Sequence, residues 1–403
     1  MTGTKIGFPE ALRLTLEHIT PLTTDTVSLI DSVGRIAASD LTALVDSPST
    51  NTSRKDGYAV RSHEITGATP ENPVRLRYIG VMAAGGENTI QVTTGTTVRV
   101  LTGARIPEGA DAVVSEEFVR KGTHEVQIEN SAAPKNILSK GSDISAGQSL
   151  VRKGCPITPV MAGLLAVAGH SVVPVFQRPI VGIIATGDEI IEPGNPLPAG
   201  KLYASNIITL AGWCRQYGMA PQLAFVPDEA DTISQTLQHL SAGTDALITS
   251  GGAWTGDHDL VATVLGRLGW QKVFHRIRMG PGKAVGFGTL LGKPVFVLPG
   301  GPPSNVMAFL QIALPGLQAL SGHANPGLPW VKAGLGSDIS GGDRDWTDFF
   351  FGTLSSDSGV TVFHPMMKRS RLASIAGATA IAAIPEGDDH LPEGMVIDVQ
   401  ILL

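Results

Sequence analysis

At 403 residues the chain is too long for one ordinary core, and two to four domains are expected. Its net charge of −6, without any Lys/Arg cluster, speaks against nucleic acid or an acidic membrane as partner. Glycine is unusually frequent, 48 residues or about 12% against a usual share of about 7%, so turns should be numerous around a core built from 42% hydrophobic residues.

The opening Met1–Ile6 lacks a signal-like apolar segment. Phe8–Thr20 reads as an amphipathic helix, with Pro9 in its first turn and Leu12, Leu16 and Ile19 on one face. After Pro48 short alternating strands follow, at Val74–Ile79, Thr97–Leu101, Ala112–Val114 and Glu125–Ile128. Residues 136–177 form a return segment. Its apolar stretch Val160–Phe176 is interrupted by Gly169, His170 and Pro174, which predicts a buried helix and then a strand instead of a membrane span. His170 is read as a structural histidine. Cys155 and Cys214 make no CxxC, which fits a reducing compartment. Together these features predict a soluble, cytoplasmic protein.

From Pro179 to Leu320 strands and helices alternate. Strands are expected at Ile180–Ala185, Gln222–Val226, Ala246–Thr249, Lys272–Arg278 and Val295–Leu298. Helices are expected at Asn206–Tyr217, Asp228–Leu240, Asp259–Leu268 and Ser304–Leu320. That order predicts a mostly parallel sheet covered on both faces. Residues 327–403 return to β signals. The fold class is therefore multidomain α/β plus β. Its expected parts are 1–49 with 136–177, a small β domain at 50–135, an α/β unit at 178–326 and a second β domain at 327–403.

Four glycine-rich turns follow apolar runs: Thr186-Gly187-Asp188-Glu189, Ser250-Gly251-Gly252 leading to Asp257-His258-Asp259, Gly280-Pro281-Gly282-Lys283, and Pro299-Gly300-Gly301 leading to Ser304. Glycine lets backbone N–H groups approach a ligand, and three of these turns pass from strand to helix, where open α/β sheets hold ligands. Carboxylates within such an anion cradle repel one another and call for a cation between them. A phosphorylated ligand with a divalent metal is the reading. Asp259 would serve equally as an N-cap, and Asp257 and His258 as solvated loop residues. Lys283 would serve as a surface lysine, and Trp254 as a loop anchor instead of a stacking platform for a flat heterocycle.

The chain resembles the molybdopterin molybdenumtransferases, called MoeA in bacteria, with the gephyrin E domain as eukaryotic relative. The resemblance rests on Lys55-Asp56-Gly57-Tyr58-Ala59-Val60, Leu101-Thr102-Gly103-Ala104 through Ile106–Val114, and Gly141-Ser142-Asp143, together with the turns at Thr186–Glu189, Ser250–Gly252, Pro281–Lys283 and Leu298–Gly300. It implies a four-part protomer with an elongated linking domain, a β-rich insertion domain, a pterin-binding α/β/α domain and a C-terminal β-barrel. It also implies a homodimer whose clefts lie between the α/β domain of one chain and the β domain of the other. The implied reaction inserts molybdenum from molybdate into adenylylated molybdopterin and releases AMP, with Mg²⁺ assisting. Contact with other cofactor-biosynthesis proteins would follow.

Carried over by this resemblance, Asp56, Asp143, Glu189, Asp259 and Lys283 are the catalytic candidates. Thr186, Gly187, Asp188, Ser250, Gly251, Gly252, Trp254, Pro299, Gly300 and Ser304 would bind the pterin nucleotide, and Asp188, Glu189, Asp228 and Asp259 the metal. Departures from the family pattern gather near this cleft: Arg54-Lys55, Ala204, Trp254, Gly280, Ala284 and Gly301. They motivate two alternatives, a divergent paralogue that binds a pterin or nucleotide with altered or lost catalysis, and a dimeric scaffold.

Overall fold

The computed structural model describes residues 6–86, 89–131, 136–251, 260–357, 359–366 and 371–402. The chain leaves and re-enters its β insertion along a broken ladder. Thr24–Ser28 pairs antiparallel with Val172–Phe176, Leu41–Thr42 with Ser149–Val151, and Thr52–Ser53 with Ile137–Leu138. Helix Pro159–Val167, capped by the Thr158 side chain accepting from the Met161 N–H, sends Ala162 and Leu165 into a core with Val151, Ile157 and Val173. Its other side leaves Val160 and Val167 exposed. Among the described residues no helix is long and apolar enough to cross a membrane. The first helix, Phe8–Glu17, stops short of Thr20, because Thr20 precedes Pro21 and is pushed out of the α region.

The insertion is a six-stranded sheet ordered Ala112–Ser115, Gly57–Val60, Thr96–Val100, Val74–Met82, Glu125–Ile128, Val119–Lys121. Gly57–Val60, which the alternation pattern missed, is central and buried throughout. A Cβ on Gly57 would lie 2.2 Å from the Val114 carbonyl oxygen.

In the α/β unit the sheet order is Ala220–Val226, Ile180–Thr186, Ala246–Ser250, Lys293–Leu298, Gly286–Leu290, Gln271–His275. The first four strands run parallel, Gly286–Leu290 runs antiparallel to them, and Gln271–His275 pairs antiparallel with that strand in turn. Alternate residues face opposite cores. Val181, Ile183 and Ala185 pack with Ile207, Leu210, Phe296 and the first helix's Ala11, whereas Ile184 and Leu247 pack with Ile233, Leu237 and Val264.

Three features differ from expectation here. The strand expected over Lys272–Arg278 ends at His275, since Arg276 takes a left-handed φ of 65°. The unforeseen strand Gly286–Leu290 joins the next through Leu291 and Gly292, both at positive φ, which gives the hairpin twist without the usual Asn-Gly signal. The helix expected over Ser304–Leu320 runs as Pro302–Ala308, a π-turn Phe309–Ala313, then Leu314–Leu320. Pro315 cannot supply the N–H that the Gln311 carbonyl would take in an α register.

Trp330–Leu335, Val360–Pro365, Thr347–Asp357, Ala380–Ile384 and Val396–Ile401 pair in a closed ring, a small β-barrel. Its longest strand also pairs outward, Thr347 and Asp348 with Met279 and Gly280 of the α/β unit. Phe349 and Phe351 join the α/β core on that side. The architecture is multidomain α/β plus β.

Candidate functional site

Three parallel strands end side by side and their turns touch. Gly251, at φ 104°, packs so tightly on the first turn that a Cβ would meet the Thr186 carbonyl oxygen at 2.3 Å. Only glycine holds that approach. The Gly251 Cα in turn lies 3.9 Å from where a Gly300 Cβ would stand. Asn206 donates through Nδ2 to the Gly300 carbonyl at 2.8 Å, tying the helix Ser205–Gln216 to the third turn. Between these elements opens a cleft of about 130 Å³, lined by Thr186, Glu189, Tyr203, Ala204, Ser250 and Gly300 among others.

The cleft wall contains the start of the helix Ser205–Gln216. Its N-cap is Ala204, which offers no side-chain acceptor, so the first-turn N–H groups remain uncapped by side chains. An uncapped helix start carries partial positive charge that suits an anion. In the sequence Ala204 shows only as a departure from the family pattern, because its place at a helix start depends on the fold.

The acids lie on the neighbouring side of the first turn. Asp188 accepts from the Asp228 backbone N–H at 3.1 Å, and both residues are exposed. The surroundings of the Asp228 carboxyl are nonetheless partly desolvated. That desolvation first, then the charges of Asp188 and Glu189, pushes its pKa above the ordinary 3.8. A second cavity of about 210 Å³, lined by Gly187, Asp188, Phe225 and Pro227, opens beside them. The carboxylates crowd one another, yet among the described residues no group of three His, Cys, Asp or Glu side chains is arranged to hold a metal ion. Magnesium takes one or two protein carboxylates and completes its shell with water and ligand phosphate, so oxygen donors of this kind fit it without a closed cage.

The remaining candidates are distributed. Exposed Lys283 sits in the turn after the cis peptide Gly280–Pro281. That turn rests against the helix Pro302–Ala308, a Gly282 Cβ coming within 3.3 Å of the Ser304 carbonyl oxygen, so Ser304 and Lys283 are neighbours through their backbones. Asp56 lies at the head of the strand Gly57–Val60. There its Oδ1 accepts from the Thr102 N–H at 2.7 Å and the Thr102 hydroxyl at 2.8 Å, and these bonds, with the Arg99 charge, hold its pKa below the usual carboxylate range. Asp143 is exposed in the loop where its N–H donates to the Ser47 carbonyl. Neither acid lines the 130 Å³ cleft. Gly252, Trp254, Asp257, His258 and Asp259 lie outside the described residues.

Sequence reasoning missed Asn305. It is fully buried and donates to both the Ser250 hydroxyl and the Pro299 carbonyl, so it joins two of the turns. The only available signal was an asparagine inside an otherwise apolar helical run.

Residues 6–169 match the family model for the MoeA N-terminal region (domain I and II), and residues 182–319 that for a probable molybdopterin binding domain. Over 381 residues the chain is 32% identical to molybdopterin molybdenumtransferase 2 of Mycobacterium tuberculosis, spanning 93% of this chain and 94% of that one. Over 407 residues it is 31% identical to the molybdopterin molybdenumtransferase of Bacillus subtilis, spanning 99% and 94%. A crystal structure of the molybdopterin biosynthesis MoeA protein from Pyrococcus horikoshii OT3 superposes with a TM-score of 0.84 at 29% identity, covering 99% of this chain and all of that one. With its touching strand-end turns and its acid cluster, the chain belongs to the MoeA family of molybdopterin molybdenumtransferases, proteins of molybdenum cofactor biosynthesis.

Proposed function

We propose that this protein inserts molybdenum from molybdate into adenylylated molybdopterin and releases AMP. One observation carries the reading: three glycine-bearing strand ends converge on a cleft whose flank holds mutually repelling carboxylates. Backbone N–H groups of the turns and the uncapped start of the helix Ser205–Gln216 would receive phosphoryl oxygens. The acids Asp188, Glu189 and Asp228 would hold Mg²⁺, which when bound neutralises phosphate charge and polarises the phosphoryl group. Lys283, on its anchored turn, would offset negative charge that develops as AMP departs. Leu202 and Tyr203 pair with Ile190–Ile191 along the cleft mouth and would limit water access. Asp56 and Asp143 would act from the partner protomer, and Asp259 and Trp254 would complete the pocket.

A homodimer is part of the proposal, with the exposed apolar side of the helix Pro159–Val167 as support. A monomeric mass by sedimentation would remove that part. The domain limits 1–49 with 136–177, 50–135, 178–326 and 327–403 and a cytoplasmic location are proposed with it.

The test is purified protein with adenylylated molybdopterin, molybdate and Mg²⁺. AMP release dependent on both additions is the expected result, and background release would overturn it. A second reading, a paralogue that binds the nucleotide without turnover, is favoured by Ala204 on the cleft wall. Tight AMP binding with no release would select it.

A further inference from the structure

Asn305 occupies a position where an amide is costly. It lies in the helix Pro302–Ala308 with none of its surface exposed, so each of its polar atoms needs a partner from the protein or a ligand. Its Nδ2 donates to the Pro299 carbonyl at 2.9 Å and to the Ser250 Oγ at 3.0 Å. A carbonyl oxygen can only accept, so the Pro299 contact fixes which end of the amide is the nitrogen. The Asn305 Oδ1 is then left buried with no hydrogen-bond partner. An apolar residue would avoid that unmade bond. The arrangement is explained by what the nitrogen does for Ser250.

A serine hydroxyl has one proton and two lone pairs. Asn305 occupies a lone pair from the helix side, and among the described residues no acceptor takes the Ser250 proton. Ser250 also lines the cleft, although only 4% of its surface is exposed. With its oxygen already accepting from the helix side, the hydroxyl retains its proton for an acceptor in the cleft that Ser250 lines.

We propose that Asn305 is a positioning residue that makes Ser250 a one-way hydrogen-bond donor to a phosphoryl oxygen of the ligand. The inference rests on the nucleotide reading given above, and it adds a residue that none of the glycine-rich turns contains. The same amide, by holding the Pro299 carbonyl, also keeps the second and third turns in register.

The experiment titrates the full chain with AMP and with adenosine, which lacks the phosphate, for wild type, Asn305→Asp, Asn305→Ala and Ser250→Ala. A carboxylate at position 305 would take the Ser250 proton for itself. Asn305→Asp should therefore raise the AMP Kd about tenfold and the adenosine Kd far less, since loss of the Pro299 tether acts on both compounds alike. Asn305→Ala, which buries no new charge, should raise the AMP Kd about threefold and keeps the question answerable if the aspartate variant unfolds. Combining Asn305→Asp with Ser250→Ala should cost AMP binding clearly less than the two single changes added together. Equal losses for AMP and adenosine, or an unchanged AMP Kd, would overturn the proposal while leaving the nucleotide reading intact. Wild-type protein binding neither compound would overturn both.

Discussion

Asp56 and Asp228 are both exposed acids that the sequence marks as site residues, yet their surroundings treat the charge in opposite ways. The Asp56 carboxylate is already satisfied, accepting twice from Thr102 with Arg99 nearby, and is held in its ionised form. Asp228 is partly desolvated beside Asp188 and Glu189 and resists ionisation. The first is an acid whose partners are built into the fold. The second belongs to a group of carboxylates that crowd one another, and this separates a pre-set hydrogen-bond acceptor from the acids proposed above to take a cation.

The largest expected effect tests the crowded side. Asp188→Asn combined with Glu189→Gln should slow AMP release on the order of 100-fold with little change in thermal midpoint, measured in single-turnover assays. An undiminished rate would detach the cluster from the chemistry. Next, Gly251→Ala should destabilise the chain by about 2 kcal/mol in urea unfolding, since the new Cβ strains a left-handed backbone against the Thr186 carbonyl. A neutral outcome would mean that the turns are not rigidly apposed.

Titration sharpens the contrast. Asp228 keeps its proton in the fold to a higher pH than in the unfolded chain. Its contribution therefore weakens as pH rises from its ordinary value of 3.8 through the folded value, and Asp228→Asn should remove that decline. Adding Mg²⁺ with AMP should lower the Asp228 midpoint in an NMR titration; an unmoved midpoint would exclude a cation at this carboxyl. For Asp56 the sign reverses. Its stabilisation is present above 3.8 and is lost as pH falls through the folded value, so Asp56→Asn should lower stability modestly at neutral pH, change little below the folded value, and thereby flatten the acid limb.

Much of this was legible from residue order. Strand and helix alternation located the parallel strands, and glycine-rich strand ends located the cleft, because parallel sheets gather their turns on one edge. What stayed hidden depends on contacts across the fold. Gly288 disqualifies its strand by local propensity, but a Cβ there would lie 2.4 Å from the Gln271 carbonyl oxygen. Asn305 gains its role only once Ser250 and Pro299 are brought beside it. Ala204 looks like a plain loss until its helix start is seen on the cleft wall.

The short pairing of Met279–Gly280 with Thr347–Asp348 means that barrel and α/β unit share backbone hydrogen bonds as well as a surface. A Cβ on Gly280 would lie 2.4 Å from the Asp348 Oδ1, and just beyond it the chain reaches Lys283. Cutting the chain before the barrel would therefore strip an edge strand of its neighbour and unmoor the loop that bears this lysine. Any attempt to excise the α/β unit as a free-standing module must carry residues 347–348 along or replace them.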